Sequence, residues 1–216
     1  GNSGSGVSIN GAVNNTIGGT AAGAGNVISG NIDQGIRLSG SGPGGNQMQG
    51  NFIGTDSTGA SGVPNGANGV LLTNAASGNT VGGTTAGTSN IIAFNTANGV
   101  VVIGDTGGDG ILRNSIFANG LLGIDLVGNG VTPNDAGDGD TAGNNLQNFP
   151  VITAAGGGGG STNVQGTLNS TPSRSFRLEF FGNPTCDGTN GEGQTFVGTL
   201  DVTTDAGGNA NFNMTF

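Results

Sequence analysis

The sequence predicts an all-β protein: a right-handed parallel β-helix of about four to five coils with three short strands per coil, then a small antiparallel β-sandwich-like domain. Three observations predict it. Nearly the same phrase is written twice, NTIGGTAAGAGNVISGN at 15–31 and NTVGGTTAGTSNIIAFN at 79–95. A glycine-led phrase G-Φ-x-Φ, with Φ apolar, recurs as GVSI, GIRL, GVLL, GVVV and GIDL. A helical solenoid needs amphipathic stretches of about ten residues or more, and the sequence contains none.

Each coil can be read in order. The G-Φ-x-Φ strand starts at Gly6, Gly35, Gly69, Gly99 and Gly123. Side chains alternate across a strand, so both Φ residues point inward and x points outward. Val7 and Ile9, Ile36 and Leu38, Val70 and Leu72, Val100 and Val102, and Ile124 and Leu126 then stack in columns. A second short segment carries Ile17, Met48, Val81 and Ile111. A third follows an asparagine, in NVIS, NFIG, NIIA and NSIF. The Asn at 26, 51, 90 and 114 therefore predicts a ladder of side-chain amides that satisfies turn backbone. Units advance by 24 to 39 residues, and the longest holds the insertion TDSTGASGVPNGAN at 55–68.

After residue 127 the pattern changes. Residues 128–148, GNGVTPNDAGDGDTAGNNLQN, read as an Asp/Asn/Gly-rich linker, and 149–216 as a small β-sandwich-like domain that is possibly incomplete. Extended segments are expected at 149–155, 162–169, 174–183, 193–203 and 209–216, with turns at GGGGG 156–160 and DAGG 205–208.

Composition restricts function. Forty-nine of 216 residues are Gly, without a G-X-Y period, so tight turns rather than collagen explain them. Only 8% of residues are charged, unlike a disordered chain. His, Lys, Trp and Tyr are absent, and Arg37, Arg113, Arg174 and Arg177 face 13 acidic residues. A net charge of −9 argues against nucleic acid and anionic membranes, and permits cations. Cys186 is the sole cysteine, so no intrachain disulfide forms, and no run of 18 apolar residues suggests a membrane span. The opening GNSGSG carries no signal peptide, which is the pattern expected of a processed piece of a longer secreted protein.

The phrases NTIGG, GNVISGN, GNFIGTDSTG and NSIFANGLLGIDL resemble those of bacterial right-handed parallel β-helix repeat proteins. The segments VTPNDAGDGDTAGNNLQNFPVI and VQGTLNSTPSRSFRLEFFGNPTCDGTNGEGQTFVGTLDVTTDAGGNANF are similar to the tail that follows their last coil. The resemblance implies a large secreted or surface protein, architecturally related to pectate lyases, with further strands after 209–216.

Candidate sites are few. Asp105, Asp109 and Arg113 lie close together in GDTGGDGILR and are the best candidate for a small acidic site with a basic neighbour. The absence of His, Lys and Tyr removes most acid–base and triad arrangements. Asp56, in the long loop, reads as structural. Asp135, Asp138 and Asp140 in DAGDGD offer spaced oxygen ligands on a glycine-rich loop, the donor type that Ca²⁺ takes. A solvated acidic linker is the alternative. These residues predict a non-enzymatic extracellular or cell-surface structural protein: a subunit of a surface fibre or filament, or an adhesin-like stalk. It would form a homopolymer by end-to-end stacking or strand donation. The alternatives are a polysaccharide-active enzyme and a glycan-binding module, either of which would meet surface polysaccharide.

Overall fold

The computed structural model describes residues 1–216 apart from 41, 74–75, 105–106 and 186–190. Its first part is a stack of parallel strands in three sheets. The G-Φ-x-Φ phrases form β1 (Val7–Asn10), β4 (Ile36–Ser39), β8 (Val70–Thr73), β12 (Val100–Ile103) and β15 (Ile124–Asp125), neighbours in that order. The second sheet stacks β2 (Thr16–Gly18), β6 (Gln47–Gln49), β10 (Thr80–Gly82) and β13 (Gly110–Leu112). The third stacks β3 (Val27–Ile28), β7 (Phe52–Ile53), β11 (Ile91–Ala93) and β14 (Ser115–Phe117). Two short strands, β5 (Gly42–Pro43) and β9 (Ala76–Ser77), pair alongside. Successive strands in sequence visit the three sheets in turn, an arrangement consistent with a parallel β-helix.

The register aligns the expected columns. Val7, Ile36, Val70, Val100 and Ile124 are successive partners, as are Ile9, Leu38, Leu72 and Val102. Ile17, Met48, Val81 and Ile111 form another column, and Ile28, Ile53, Ile92 and Ile116 a fourth. Together these residues make one continuous apolar core, apart from Ile124. That residue is 42% exposed, because β15 is the last strand of its sheet among the described residues. It faces a cavity of about 320 Å³ that Ile111, Ile116 and Phe181 also line.

The leading glycine is fixed by close approach. A Cβ on Gly35 would stand 2.6 Å from the Gly69 carbonyl oxygen and 2.7 Å from Ile53 Cγ2. Gly69 and Gly99 meet the next coil in the same way, so a larger residue would push adjacent coils apart.

Two of the outward x positions are not solvated. Val101 is 1% and Asp125 3% exposed. The chain after β15 folds back over this face: a Cβ on Gly128 would touch Ile103 and Val101. The Asp125 carboxylate accepts the N–H groups of Val127, Gly128 and Gly130 at 2.7–3.1 Å, which forms the turn.

The C-terminal part is antiparallel. One sheet orders β16 (Val151–Gly158), β17 (Ser161–Asn169) and β20 (Asn209–Thr215); the other pairs β18 (Ser175–Gly182) with β19 (Thr195–Thr203). Leu168, Ala210 and Phe212 of the first sheet share a core with Leu178 and Val202 of the second. The glycine run is not wholly a turn. Its first three glycines extend β16, paired to Ser161–Asn163, and only Gly159 and Gly160 turn, with φ of 62° and 87°. The DAGG turn forms as expected, with Asp205 accepting from Gly207 N and Asn209 N.

Candidate functional site

The polar residues of the stack mostly hold its corners. Asn26, Asn51, Asn90 and Asn114 form the expected ladder: each backbone N–H and side-chain Nδ2 donates to the Oδ1 of the next rung at 2.8–3.1 Å. Two more ladders run the same way, unanticipated from the sequence. One links Asn15, Asn46, Asn79, Asp109 and Asn144. The other links Asn2, Asn31, Asn65, Asn95 and Asn119. A fourth runs in the opposite sense: Gln34 accepts from Asn68, Asn68 from Asn98, and Asn98 from Leu122 N. The signal was present: Asn recurs five residues after Asn in 26–31, 46–51, 90–95 and 114–119, and directly before the glycine of GVLL and GVVV.

The ladder from Asn2 to Asn119 ends on the C-terminal part. Glu192 takes the position of a further rung, accepting Asn119 N at 3.1 Å and Asn119 Nδ2 at 2.7 Å. Next to it Ile116 N donates to the Gly193 carbonyl at 2.9 Å, and Ser115 Oγ to the Gln194 carbonyl at 2.6 Å. Glu179 accepts from Arg113 N at 2.7 Å and pairs with Arg177 at 2.9 Å. The β-domain thus continues the hydrogen bonding of the last coil.

Of the candidates for the acidic site, Asp105, Asp109 and Arg113, the structure describes the last two. Asp105, like Cys186, lies outside the described residues. Asp109 is a ladder rung, its Oδ1 accepting Asn79 N and Nδ2 at 2.8 and 3.1 Å. Burial pushes its carboxyl up to about 6. Its Oδ2 is buried with no hydrogen-bond partner among the described residues, and it occupies the place where an asparagine would present a donor. Arg113 is engaged elsewhere: its guanidinium stacks 4.2 Å from the Phe196 ring centroid and donates to the Thr84 carbonyl at 2.6 Å. Asp56 accepts from Thr58 Oγ1 at 2.7 Å and from the backbone of Thr58, Ala60 and Ser61, which holds its carboxyl below the usual range. It shapes its loop, as expected.

The linker carboxylates do come together. One oxygen each from Asp135, Asp138 and Asp140 lies within 4.8 Å of the others. Asn148 makes the loop that presents them: it donates to the carbonyls of Asp135 and Asn169 at 2.7 and 2.9 Å and accepts Asp135 N at 3.1 Å. Asp138 accepts Asn148 N on Oδ1 and Ser170 Oγ on Oδ2, at 2.8 and 2.7 Å, which ties the loop to the β-domain. Asp135 Oδ2 accepts Gly139 N at 3.1 Å, but its Oδ1 is buried without a partner among the described residues, as is Asp140 Oδ1. Burial, and then the charges of Asp135 and Asp138, raise the Asp140 carboxyl. An oxygen-only set of this kind suits a hard cation rather than zinc or copper, which favour His and Cys. The adjoining cavity of about 380 Å³ is lined by Asp109, Asp138, Asp140, Asn144, Thr171 and Arg174.

Among the described residues no helix is long and apolar enough to cross a membrane. In comparisons with known proteins, no family model and no curated protein matches this chain.

Proposed function

We propose that the chain is a non-enzymatic extracellular structural element, a right-handed parallel β-helix carrying a small β-sandwich-like domain, within a surface fibre, filament or adhesin-like stalk. The observation that carries this reading is the use made of the polar groups. Asn51, Asn65, Asn79, Asn90 and Asn95 are buried and spent on holding coil to coil. Asp56, Asp125 and Glu192 are spent on backbone N–H groups. Such a body holds a fixed shape and leaves few groups for chemistry.

Assembly through β16 fits this molecule better than stacking on the last coil. Glu192 and Gly193 already engage that coil. By contrast β16 is exposed at every residue, and it pairs only with β17 among the described residues. An exposed strand edge with accessible Val151 and Ile152 is a template for pairing with a second copy. Sedimentation and electron microscopy of the purified chain test the reading. Concentration-dependent oligomers that Ile152→Lys abolishes, with melting unchanged, would support it. A monomer at all accessible concentrations would refute self-assembly. Turnover of a polysaccharide would refute the non-enzymatic assignment.

A further inference from the structure

We propose that Asp135, Asp138 and Asp140 bind a single calcium ion that locks the linker between the strand stack and the β-domain. The inference does not depend on whether the chain assembles.

Three observations carry it. First, the three oxygens lie within 4.8 Å of one another, and one ion with Ca–O distances of about 2.4 Å spans about that width. Second, two of the three carboxylates hold an oxygen that is shielded from solvent and has no donor among the described residues, Asp135 Oδ1 and Asp140 Oδ1. A buried anionic oxygen is costly unless a cation or donor meets it. Third, Asp109 comes from a different part of the chain and lines the same cavity as Asp138 and Asp140. It is only 7% exposed, and its Oδ2 also has no hydrogen-bond partner among the described residues. One carboxylate from the stack, Asp109, and two from the linker, Asp138 and Asp140, thus share one cavity wall. The one basic residue on the cavity wall, Arg174, is exposed and makes no ion pair with them among the described residues.

The rest of the site is oxygen-rich. Thr141, Asn144, Gln147 and Thr171 line the same cavity, and water fills positions the carboxylates leave. Since Asp138 is bonded to Ser170 and Asn144 to Asp109, an ion here bridges elements bonded to both parts of the molecule. Its effect is to remove carboxylate repulsion and fix the linker.

The test uses the full chain, stripped with chelator and titrated with calcium chloride by calorimetry, with melting followed in parallel. One calcium per chain and a rise in melting temperature are expected, with magnesium much weaker. Asp140→Asn is expected to weaken calcium binding at least roughly tenfold, since even outer-shell changes act on that scale. It should also melt no lower than wild type in chelator, because it relieves repulsion, which separates a lost ligand from a failed fold. No heat and no shift with calcium would overturn the proposal. So would unchanged affinity in both Asp140→Asn and Asp135→Asn. A stoichiometric calcium that survives both variants would place the ion elsewhere and equally refute this site.

Discussion

Asn90 is the middle of a ladder, and its replacement tests how the stack is held. The side chain is fully buried. Oδ1 accepts Asn51 N at 2.9 Å and Asn51 Nδ2 at 3.0 Å, and Nδ2 donates to the Met48 carbonyl and to Asn114 Oδ1, both at 2.8 Å. Asn90→Ala removes all four bonds. At about 1 kcal/mol each the loss is about 4 kcal/mol, and the stranded Asn51 N–H holds it there. For a chain of this size that is roughly 8–16 °C of melting temperature. Asn90→Asp keeps Oδ1 but turns the donor into an acceptor facing the Met48 carbonyl and Asn114 Oδ1. It should be worse than alanine at neutral pH and should recover in acid, where a protonated carboxyl donates again. Asp109, the natural rung of this kind, has an Oδ2 without a partner among the described residues and a carboxyl pushed up to about 6. Asn26, an exposed end rung, only donates to Asn51 Oδ1, so Asn26→Ala should cost no more than about 1 kcal/mol. Calorimetric or circular-dichroism melts at neutral and acid pH decide it. Equal, small losses for Asn90→Ala and Asn26→Ala would refute the ladder as a source of stability.

Other outcomes follow from the same geometry. Glu192→Ala should expose the Asn119 amide to hydrogen exchange and lower stability by about 2–4 kcal/mol, whereas Glu192→Gln keeps an acceptor and should cost less; equal exchange at Asn119 in both would count against the capping role. Gly69→Ala places a methyl 2.6 Å from Ile92 Cγ2 and should cost about 1–3 kcal/mol, while Gly4→Ala, with nothing within 4 Å, should be neutral by denaturant melts. Asp205, whose carboxyl is held below the usual carboxylate range chiefly by the N–H groups of Asn209 and Gly207, has the depressed-acid sign. Its contribution is present above the unfolded value and is lost as pH falls through the folded one. Asp205→Asn should therefore differ from wild type at neutral pH and converge with it in strong acid.

Much of the stack was legible because its signals are local and repeated. The alternation of G-Φ-x-Φ gives the inward columns, and four recurring asparagines give one ladder. Two features were hidden. Val101 and Asp125 take outward positions in the pattern, but the chain after β15 returns over them, and a strand period says nothing about a later covering segment. Glu192 caps a ladder built from residues 73 and more positions earlier, a contact that only the folded path creates. At the candidate site the spacing in DAGDGD gave three carboxylates, while Asp109 read as part of another cluster because sequence distance to Arg113 is short. Its real neighbours are Asn79 and Asn144, 30 and 35 residues away.

The ladders also bear on how such a chain changes over generations. Successive rungs of the Asn26 ladder are separated by 25, 39 and 24 residues, yet the hydrogen bonds between them are alike. Chain length between rungs is therefore free to drift while the rungs stay in step, as the loop between Asn51 and Asn65 illustrates. By this geometry an insertion at an arc leaves the rungs in register, whereas loss of an internal rung such as Asn90 strands its neighbours on both sides. A lineage built this way can gain or lose whole coils by duplication, because each new coil brings its own rungs and meets its neighbours on the same terms.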